Sequence, residues 1–478
     1  MSTTTLDSDH RVLSTLNEDG TRNWLRPRVS PGRFLTARRW VALFLIAIFT
    51  LTPYVYINGK PAILLDITHR EFTFFGFTFL PTDTVLLALF MLGVFISIFL
   101  ITALLGRAWC GWACPQTVYM EFVYRPIERL IDGPPGRNPK PRIRNAALRY
   151  VVKYGVYLVI SLYLAHTFLA YFVGVEALAE WVRRSPLEHP TPFLVMAVTT
   201  GLMMFDFSYF REQTCIVACP YGRFQSVLLD RHSLIISYDR RRGEPRGKGI
   251  RRRSAVEEGV ALPVAQQRGD CVDCELCVTT CPTGIDIRNG LQLECVACAQ
   301  CIDACDAVMR KIKRPTGLIR YSSQAAIEGE PHRWLRPRVI IYPTILLAVA
   351  VAFFAVLLTK QSADVTVLRG LGNPFTVLDD GWVANPVRVK IVNRTDKARR
   401  YTIELLGDAG GRLDAEEDSF MVAAGEARTI GLRVIVPQSA YRFGRLDITL
   451  RVRDDVDLVV DRPFRLLGPA HAPSHKEP

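Results

Sequence analysis

Cysteine and histidine run out early in this 478-residue chain: no cysteine follows Cys305 in the last 173 residues, and after the last apolar run there is no histidine before His471. Those absences speak against a metal cofactor in the C-terminal segment. No G-x-G-x-x-G run and no Walker-type loop occurs, so the chain offers no recognisable nucleotide or flavin site. A charge surplus is missing from the C-terminal part as well. From Lys360 onward 18 Lys and Arg face 17 Asp and Glu, a balance of +1, although the whole chain carries +13. The basicity belongs to the other segments, and membrane lipid accounts for its distribution better than nucleic acid does.

What is present explains that distribution. Hydrophobic residues make up 49% and charged residues 22%, so apolar and charged stretches are segregated, as in a membrane protein with soluble parts. Five runs approach the roughly 20 residues a helix needs to cross a bilayer: Trp40–Ile57, Thr84–Leu105, Tyr150–Val173, Pro192–Phe210 and Val339–Thr359. Pro343 and Gly201 interrupt spans, which neighbouring helices tolerate. Seven Lys and Arg precede the first run, eight lie in 106–149 and twenty-one in 211–338, against two each in 58–83 and 174–191. The positive-inside bias therefore puts the N-terminus and the large central segment in the cytoplasm and the C-terminus outside. The polar stretch 1–39 and the lack of a small-residue cleavage pattern make the first run a retained anchor. The expected divisions are 1–39, spans one to four in 40–210, a cytoplasmic segment 211–338, the fifth span 339–359 and an external domain 360–478.

All twelve cysteines fall on the cytoplasmic side, where thiols stay reduced and free to bind metal. Eight form two runs of C-x2-C-x2-C-x3-C, Cys271, Cys274, Cys277 and Cys281, then Cys295, Cys298, Cys301 and Cys305. This is the spacing of bacterial two-cluster ferredoxins, in which three thiolates wrap one cubane and the fourth comes from the far end of the other run. Cys271, Cys274, Cys277 and Cys305 are thus expected to hold one [4Fe–4S] cluster, and Cys295, Cys298, Cys301 and Cys281 the other, in a ferredoxin domain over about 265–312. Zinc would call for isolated C-x2-C pairs. Asp306 follows Cys305 where the generic pattern has Pro, so the environment of that centre differs.

The remaining four cysteines form two C-x3-C-P motifs, Cys110 with Cys114 before Pro115 and Cys215 with Cys219 before Pro220, each at the cytoplasmic end of a span. If the helix continues, the sulfurs of a pair lie at i and i+4 on one face. Four converging sulfurs offer a soft site for Cu(I) or for another iron–sulfur centre, buried unreactive thiols being the bland alternative. Weaker candidates are His166 inside the third span, as a haem or quinone ligand or a residue bonded within the bundle, and Met196, Met203 and Met204, as a copper relay or, more simply, packing. Asp206 could serve proton or metal entry, or interfacial solvation.

Past the last span, β-rich runs recur at 387–392, 401–406, 430–436 and 446–452 between Asp, Gly and Asn turns, the texture of a β-sandwich with a contact or structural role.

The stretches Trp109-Cys-Gly-Trp-Ala-Cys-Pro-Gln-Thr-Val, Cys215-Ile-Val-Ala-Cys-Pro-Tyr-Gly-Arg-Phe-Gln, both ferredoxin runs and Gly317-Leu-Ile-Arg-Tyr321 together resemble the CcoG/FixG/RdxA-type accessory proteins of cbb3-type cytochrome c oxidase assembly. The resemblance runs nearly end to end. It implies a multi-domain protein of the bacterial inner membrane: a five-helix transmembrane bundle, a cytoplasmic two-cluster ferredoxin-like domain and a C-terminal all-β, immunoglobulin-like periplasmic sandwich. It also implies cupric reductase activity, with copper as substrate or transient ligand. Implied partners are a cytoplasmic electron donor, a copper-exporting P-type ATPase, copper chaperones and the oxidase assembly machinery. Two other classes stay open: a quinol dehydrogenase subunit, against which the β-domain and the lack of a haem motif argue, and a structural assembly factor whose clusters only stabilise it.

The loop asymmetry yields a test of orientation. A reporter active only in the periplasm is expected to be active when fused after Pro478 and silent when fused within 240–260; the reverse pattern would overturn the placement of every cysteine.

Overall fold

The computed structural model describes residues 14–469 except 18, 20, 58, 69–70, 80–82, 136–140, 249–268, 331–335, 360, 379, 396, 408–409, 416 and 418. Residues 1–13, 265–268 at the start of the expected ferredoxin segment, and His471 lie outside the described residues. Two compact units divide the chain, Met1–Ala352 and Phe353–Pro478.

Five helices are long and apolar enough to cross a membrane: Arg33–Tyr54, Thr84–Leu105, Ala146–Val173, Pro190–Phe210 and Pro337–Leu358. Phe44, Phe95, Val151, Leu194 and Leu347 point outward on them, as lipid-facing side chains do, while helical hydrogen bonding satisfies most of the backbone inside each segment. The first differs from the expected Trp40–Ile57. Its α-helix covers Arg33–Leu51, and Tyr56–Ile57 is a strand. Pro53 sits in a short 3-10 turn that ends the helix, and the following Val-Tyr-Ile favours extended backbone. The early start has a tertiary cause. The Asp303 carboxylate accepts from the backbone N–H of Phe34 at 3.2 Å and of Leu35 at 2.8 Å, so a residue far along the chain caps this helix, and its negative charge suits the positive end of the helix dipole. A Cβ at Gly32 would collide with that carboxylate. Between the first two spans, strands Ile63–Asp66, Glu71–Phe74 and Phe77–Phe79 make an antiparallel meander that the apolar pattern did not announce.

The ferredoxin-type segment is closed by two strands that lie outside the expected 265–312. Ile235–Tyr238 pairs antiparallel with Ile319–Ser322, and their Ile236, Tyr238 and Ile319 pack with Ile302 and Met309 of the helix Gln300–Lys311. The N-terminal segment runs along it. Arg28 N–H donates to the Thr279 carbonyl at 2.9 Å, Thr280 Oγ1 to the Arg28 carbonyl at 2.6 Å and Ser14 Oγ to the Thr283 carbonyl at 2.6 Å.

The second unit is a sandwich of two antiparallel sheets. One has the order Arg412–Ala415, Ala427–Pro437, Trp382–Asn393, Ala363–Arg369, with Thr376–Val377 also on Trp382–Asn393; the other runs Ser419–Val422, Arg399–Leu406, Arg445–Asp454, Val459–Leu467. Alternate residues of each face inward, so Val389, Ile391, Val434 and Val436 of one sheet meet Tyr401, Leu450, Val452 and Leu466 of the other. All four runs singled out by composition lie within these strands.

The Asp303 cap gives a stability test. Asp303→Ala is expected to destabilise the helical unit by about 1–2 kcal/mol, the usual range for a lost cap, lowering the thermal midpoint of the detergent-solubilised protein, whereas an unchanged midpoint would assign the cap no weight.

Candidate metal centres

Cys271, Cys274, Cys277 and Cys305 line one cavity together with Tyr238, Arg288, Met309 and Ile319. Three come from the loop over 271–277 and the fourth from the helix Gln300–Lys311, so the crossed set is gathered in space. Cys274 is exposed, and Cys277 is buried. Burial pushes the Cys277 thiol up to about 12, with Arg288 acting the other way, and the Cys305 thiol up to about 12, with Cys277 adding to the rise. In the second run, burial raises Cys295 to about 11 and Cys298 to about 12, and the charge of Cys281 bears on Cys295, Cys298 and Cys301 alike. Loading metal on such thiols must expel protons.

The backbone is shaped for an anionic centre. Asp273 (φ 52°), Glu275 (φ 56°), Ala297 (φ 52°) and Ala299 (φ 61°) are left-handed, and each pair flanks the second cysteine of its run, Cys274 or Cys298. Left-handed residues alternating with right-handed or extended ones make concave nests of backbone N–H groups, which bind anions and iron–sulfur centres. Buried side-chain donors without a hydrogen-bond partner include Gln300 Nε2, Gln225 Nε2 and both terminal nitrogens of Arg38. Among the described residues no three Cys, His, Asp or Glu side chains close on a single-ion site. One tetrahedral ion would draw its sulfurs to roughly 3.8 Å from one another, given Zn–S near 2.3 Å. Four sulfurs around one cavity, with left-handed backbone on both sides of Cys274, fit a polynuclear cluster.

The two C-x3-C-P motifs are built alike. Each span ends in a reversal at a residue in the same rare conformation, Gly106 (φ 58°, ψ −127°) and Arg211 (φ 53°, ψ −121°). Four residues on comes the first cysteine. The second donates its N–H five residues back, Cys114 to the Trp109 carbonyl at 2.9 Å and Cys219 to the Thr214 carbonyl at 2.8 Å, and then turns extended to precede the helices Pro115–Tyr119 and Pro220–Leu228. The spans therefore do not continue as helix through the pairs: they stop at Gly106 and Arg211, and proline then disfavours helical backbone at Cys114 and Cys219, the residues before it.

The pairs also interlock. Gln116 Nε2 donates to Asp206 Oδ1 at 3.2 Å and to the Arg211 carbonyl at 2.9 Å, and Asp206 also accepts from Thr214 Oγ1. Arg107 donates to the Gly222 carbonyl. Arg211 is held in its left-handed conformation by ion pairs with Glu128 (3.0 Å) and Glu212 (3.6 Å), and Glu212 reaches Arg125 at 3.3 Å. Burial raises the Cys110 thiol to about 12 and also raises Cys114 and Cys215; the charges of Cys114 and Cys219 press on Cys110, and those of Cys114, Cys110 and Cys219 on Cys215. Cys110 Sγ donates to Gln225 Oε1 at 3.2 Å while Gln225 Nε2 lacks a partner. Turned over, the amide would donate to an ionised Cys110 and satisfy that nitrogen.

The two cysteine systems meet at Gly111. A Cβ there would lie 2.5 Å from the Val296 carbonyl and 2.8 Å from the backbone N and Cα of Cys298. Beside this contact Trp112 Nε1 donates to Tyr321 Oη at 3.0 Å, and Tyr321 Oη donates to the Ala297 carbonyl at 2.8 Å. Sequence reasoning missed Arg38, Gly111, Tyr321 and Gln225, although an arginine just before an apolar run was a visible signal. His166 Nδ1 bonds the Leu162 carbonyl of its own helix at 2.8 Å, and Met203 and Met204 pack against Met120, Tyr124 and Phe207; Met196 Sδ meets Thr200 Oγ1 at 3.8 Å.

Comparison with known proteins agrees with this layout. The family described as a 4Fe-4S dicluster domain matches residues 210–324, the 4Fe-4S binding domain family matches 87–134, and the Ig-like fold at the C-terminus of FixG matches 353–469. Protein RdxA of Cereibacter sphaeroides is 33% identical over 452 residues, covering 90% of this chain and 92% of the relative; RdxB of the same organism is 32% identical with the same coverage. The nitrogen fixation protein FixG of Rhizobium meliloti is 31% identical over 469 residues, covering 89% of this chain and 85% of the relative.

The contact at Gly111 is testable by one methyl group. Gly111→Ala is expected to drive the Cys298 loop away and cut the iron of anaerobically purified protein from about eight to about four per chain, checked by iron and acid-labile sulfide analysis; full iron content would show that the loop has room to give.

Proposed function

Since the chain belongs to the FixG and RdxA family, and is a membrane iron–sulfur electron-transfer protein, we propose that it reduces Cu(II) to Cu(I) in copper delivery for cbb3-type oxidase assembly. On this reading Cys271, Cys274, Cys277 and Cys305 hold one [4Fe–4S] cluster, and Cys281, Cys295, Cys298 and Cys301 the other. Bound there, the clusters would supply single electrons; iron–sulfur potentials span about −700 to +450 mV, and the lower part of that range makes reduction of Cu(II) downhill. The exposed Cys274 presents the first site to an external, cytoplasmic donor. Gly111, packed on Cys298, brings the second site against the loop between Cys110 and Cys114; this contact is the observation that carries the reading. Cu(II) takes one electron, and Cys110, Cys114, Cys215 and Cys219 retain the Cu(I) product, because thiolates select the cuprous ion. Handover would follow, to copper chaperones or a copper-exporting P-type ATPase.

A second reading of the four membrane-surface cysteines has an observation of its own. The 4Fe-4S binding domain match over 87–134 contains Cys110 and Cys114 as its only cysteines, which favours a third cluster at that site in place of copper.

One set of measurements separates the readings. Serine at Cys110, Cys114, Cys215 and Cys219 is expected to abolish copper retention and leave about eight irons per chain. Serine at Cys274 or Cys298 should slow Cu(I) formation with the same reductant, and Cys281→Ser should damage mainly the cluster of Cys295, Cys298 and Cys301. About twelve irons in the wild type, falling to about eight in the four-serine variant, would replace the copper site by a third cluster. Cluster-free protein that reduces Cu(II) as fast as the wild type would overturn the proposal.

A further inference from the structure

Arg38 lies inside the first span and is 1% exposed. Its Nε donates to the Gly111 carbonyl at 2.8 Å, and the ring of Phe122 lies 5.4 Å from its guanidinium carbon. Its two terminal nitrogens are buried without a hydrogen-bond partner, and among the described residues no carboxylate forms an ion pair with it. A guanidinium carries five donors and does not give up its charge. A cation buried in this way needs an opposing charge or acceptor oxygens for its donors, and the terminal nitrogens of Arg38 have neither among the described residues. The Gly111 carbonyl that anchors it belongs to the residue packed on the Cys298 backbone, so the free end of the side chain has the second ferredoxin run as its neighbour.

The first run has a cation as well, but a neutralised one. Arg288 beside Cys277 is spent on Asp286 at 2.7 Å and Asp273 at 2.5 Å. The two runs are alike in spacing and in backbone conformation but not in charge: the unpaired Arg38 and Arg107, which donates to the Cys295 carbonyl at 3.3 Å, lie by the second, while Asp306, next to Cys305, and the paired Arg288 lie by the first.

Resting on the two-cluster reading, we infer that Arg38 is the counter-cation of the centre held by Cys281, Cys295, Cys298 and Cys301, its free nitrogens donating to the sulfur atoms of that centre and holding its potential above that of its neighbour. Arg38 is a positioning and tuning residue. It favours the added electron at the centre next to Gly111 and so directs electrons from the exposed Cys274 side toward the membrane-surface cysteines. Trp112 and Tyr321 keep the two surfaces in register.

The test is a redox titration of the full-length protein, purified anaerobically and followed by electron paramagnetic resonance. Two midpoints are expected in the wild type, the higher one disappearing in Cys298→Ser. Arg38→Gln should lower that higher midpoint by at least a tenfold change in the reduction equilibrium, about 59 mV for one electron, and leave the lower midpoint in place. Arg38→Lys, which keeps the charge, should restore most of the shift. Unchanged midpoints, or equal shifts in both, would overturn the inference. Should Arg38→Gln fail to fold, wild-type protein labelled with 15N-arginine decides: pulsed resonance of the reduced higher-potential centre is expected to show coupling to an arginine nitrogen, and no coupling overturns the assignment. Wild-type iron content of about eight per chain tests the cluster reading itself, so its failure is distinct from that of Arg38.

Discussion

The absence of a side chain at residue 111 lets two backbones touch, and the helical unit is arranged around that contact. The space a methyl would occupy is taken by the Val296 carbonyl and the Cys298 backbone, so two cysteine systems far apart in sequence share one boundary. Other features reinforce it. Asp303 fixes where the first span begins by accepting from Phe34 and Leu35, and Arg38, one helical turn after Phe34, then falls where its Nε meets the Gly111 carbonyl. Phe34 also packs edge-on against Trp112 and Tyr321, with ring centroids 6.4 Å and 5.5 Å away. The start of one helix thus sets the phase of everything that reaches the junction.

Other buried charges among the described residues of this unit are paired or held by backbone groups, as Arg107 is by the Cys295 and Gly222 carbonyls. Lys153 meets Asp132 at 2.9 Å, Arg211 meets Glu128 at 3.0 Å and Arg125 meets Glu212 at 3.3 Å. Breaking one partner of such a pair typically costs about 3–5 kcal/mol, because a lone buried charge remains. The pairs do more than stabilise. They hold Arg211 in a conformation that its counterpart Gly106 adopts without a Cβ penalty, and so allow the second C-x3-C-P motif to copy the first. Against that background the terminal nitrogens of Arg38 stand apart, as do the unpartnered amide nitrogens of Gln225 and Gln300: each is a donor, and each lies in or beside a cysteine motif.

The immunoglobulin-like unit follows a different logic. Its strands bury alternate residues between two sheets, and its exposed faces carry cross-strand pairs such as Arg451 with Asp461 at 2.7 Å and Arg465 with Asp447 at 2.7 Å. Opposite charges on neighbouring strands add modestly to a core that the inward positions already define. The near balance of charge in this part of the chain has its counterpart in those pairs.

Periodicity and spacing are local properties, and what depended on them was legible from the sequence alone. Five apolar runs became five membrane-length helices, and the β-rich runs near 387, 401, 430 and 446 became strands of one sandwich. The ferredoxin spacing named eight cysteines, and the structure gathers Cys271, Cys274 and Cys277 with Cys305 around one cavity. Other features depended on residues that meet only after folding. The first span begins at Arg33 because of Asp303, and the ferredoxin segment is closed by strands at 235–238 and 319–322 that flank it in sequence. A glycine in a helical turn and an arginine ahead of an apolar run are individually unremarkable. Only the tertiary structure decided that Gly111 admits the Cys298 backbone and that Arg38 meets no carboxylate among the described residues, because contact and charge pairing are set by which surfaces come together in space, and spacing along a chain does not carry that information.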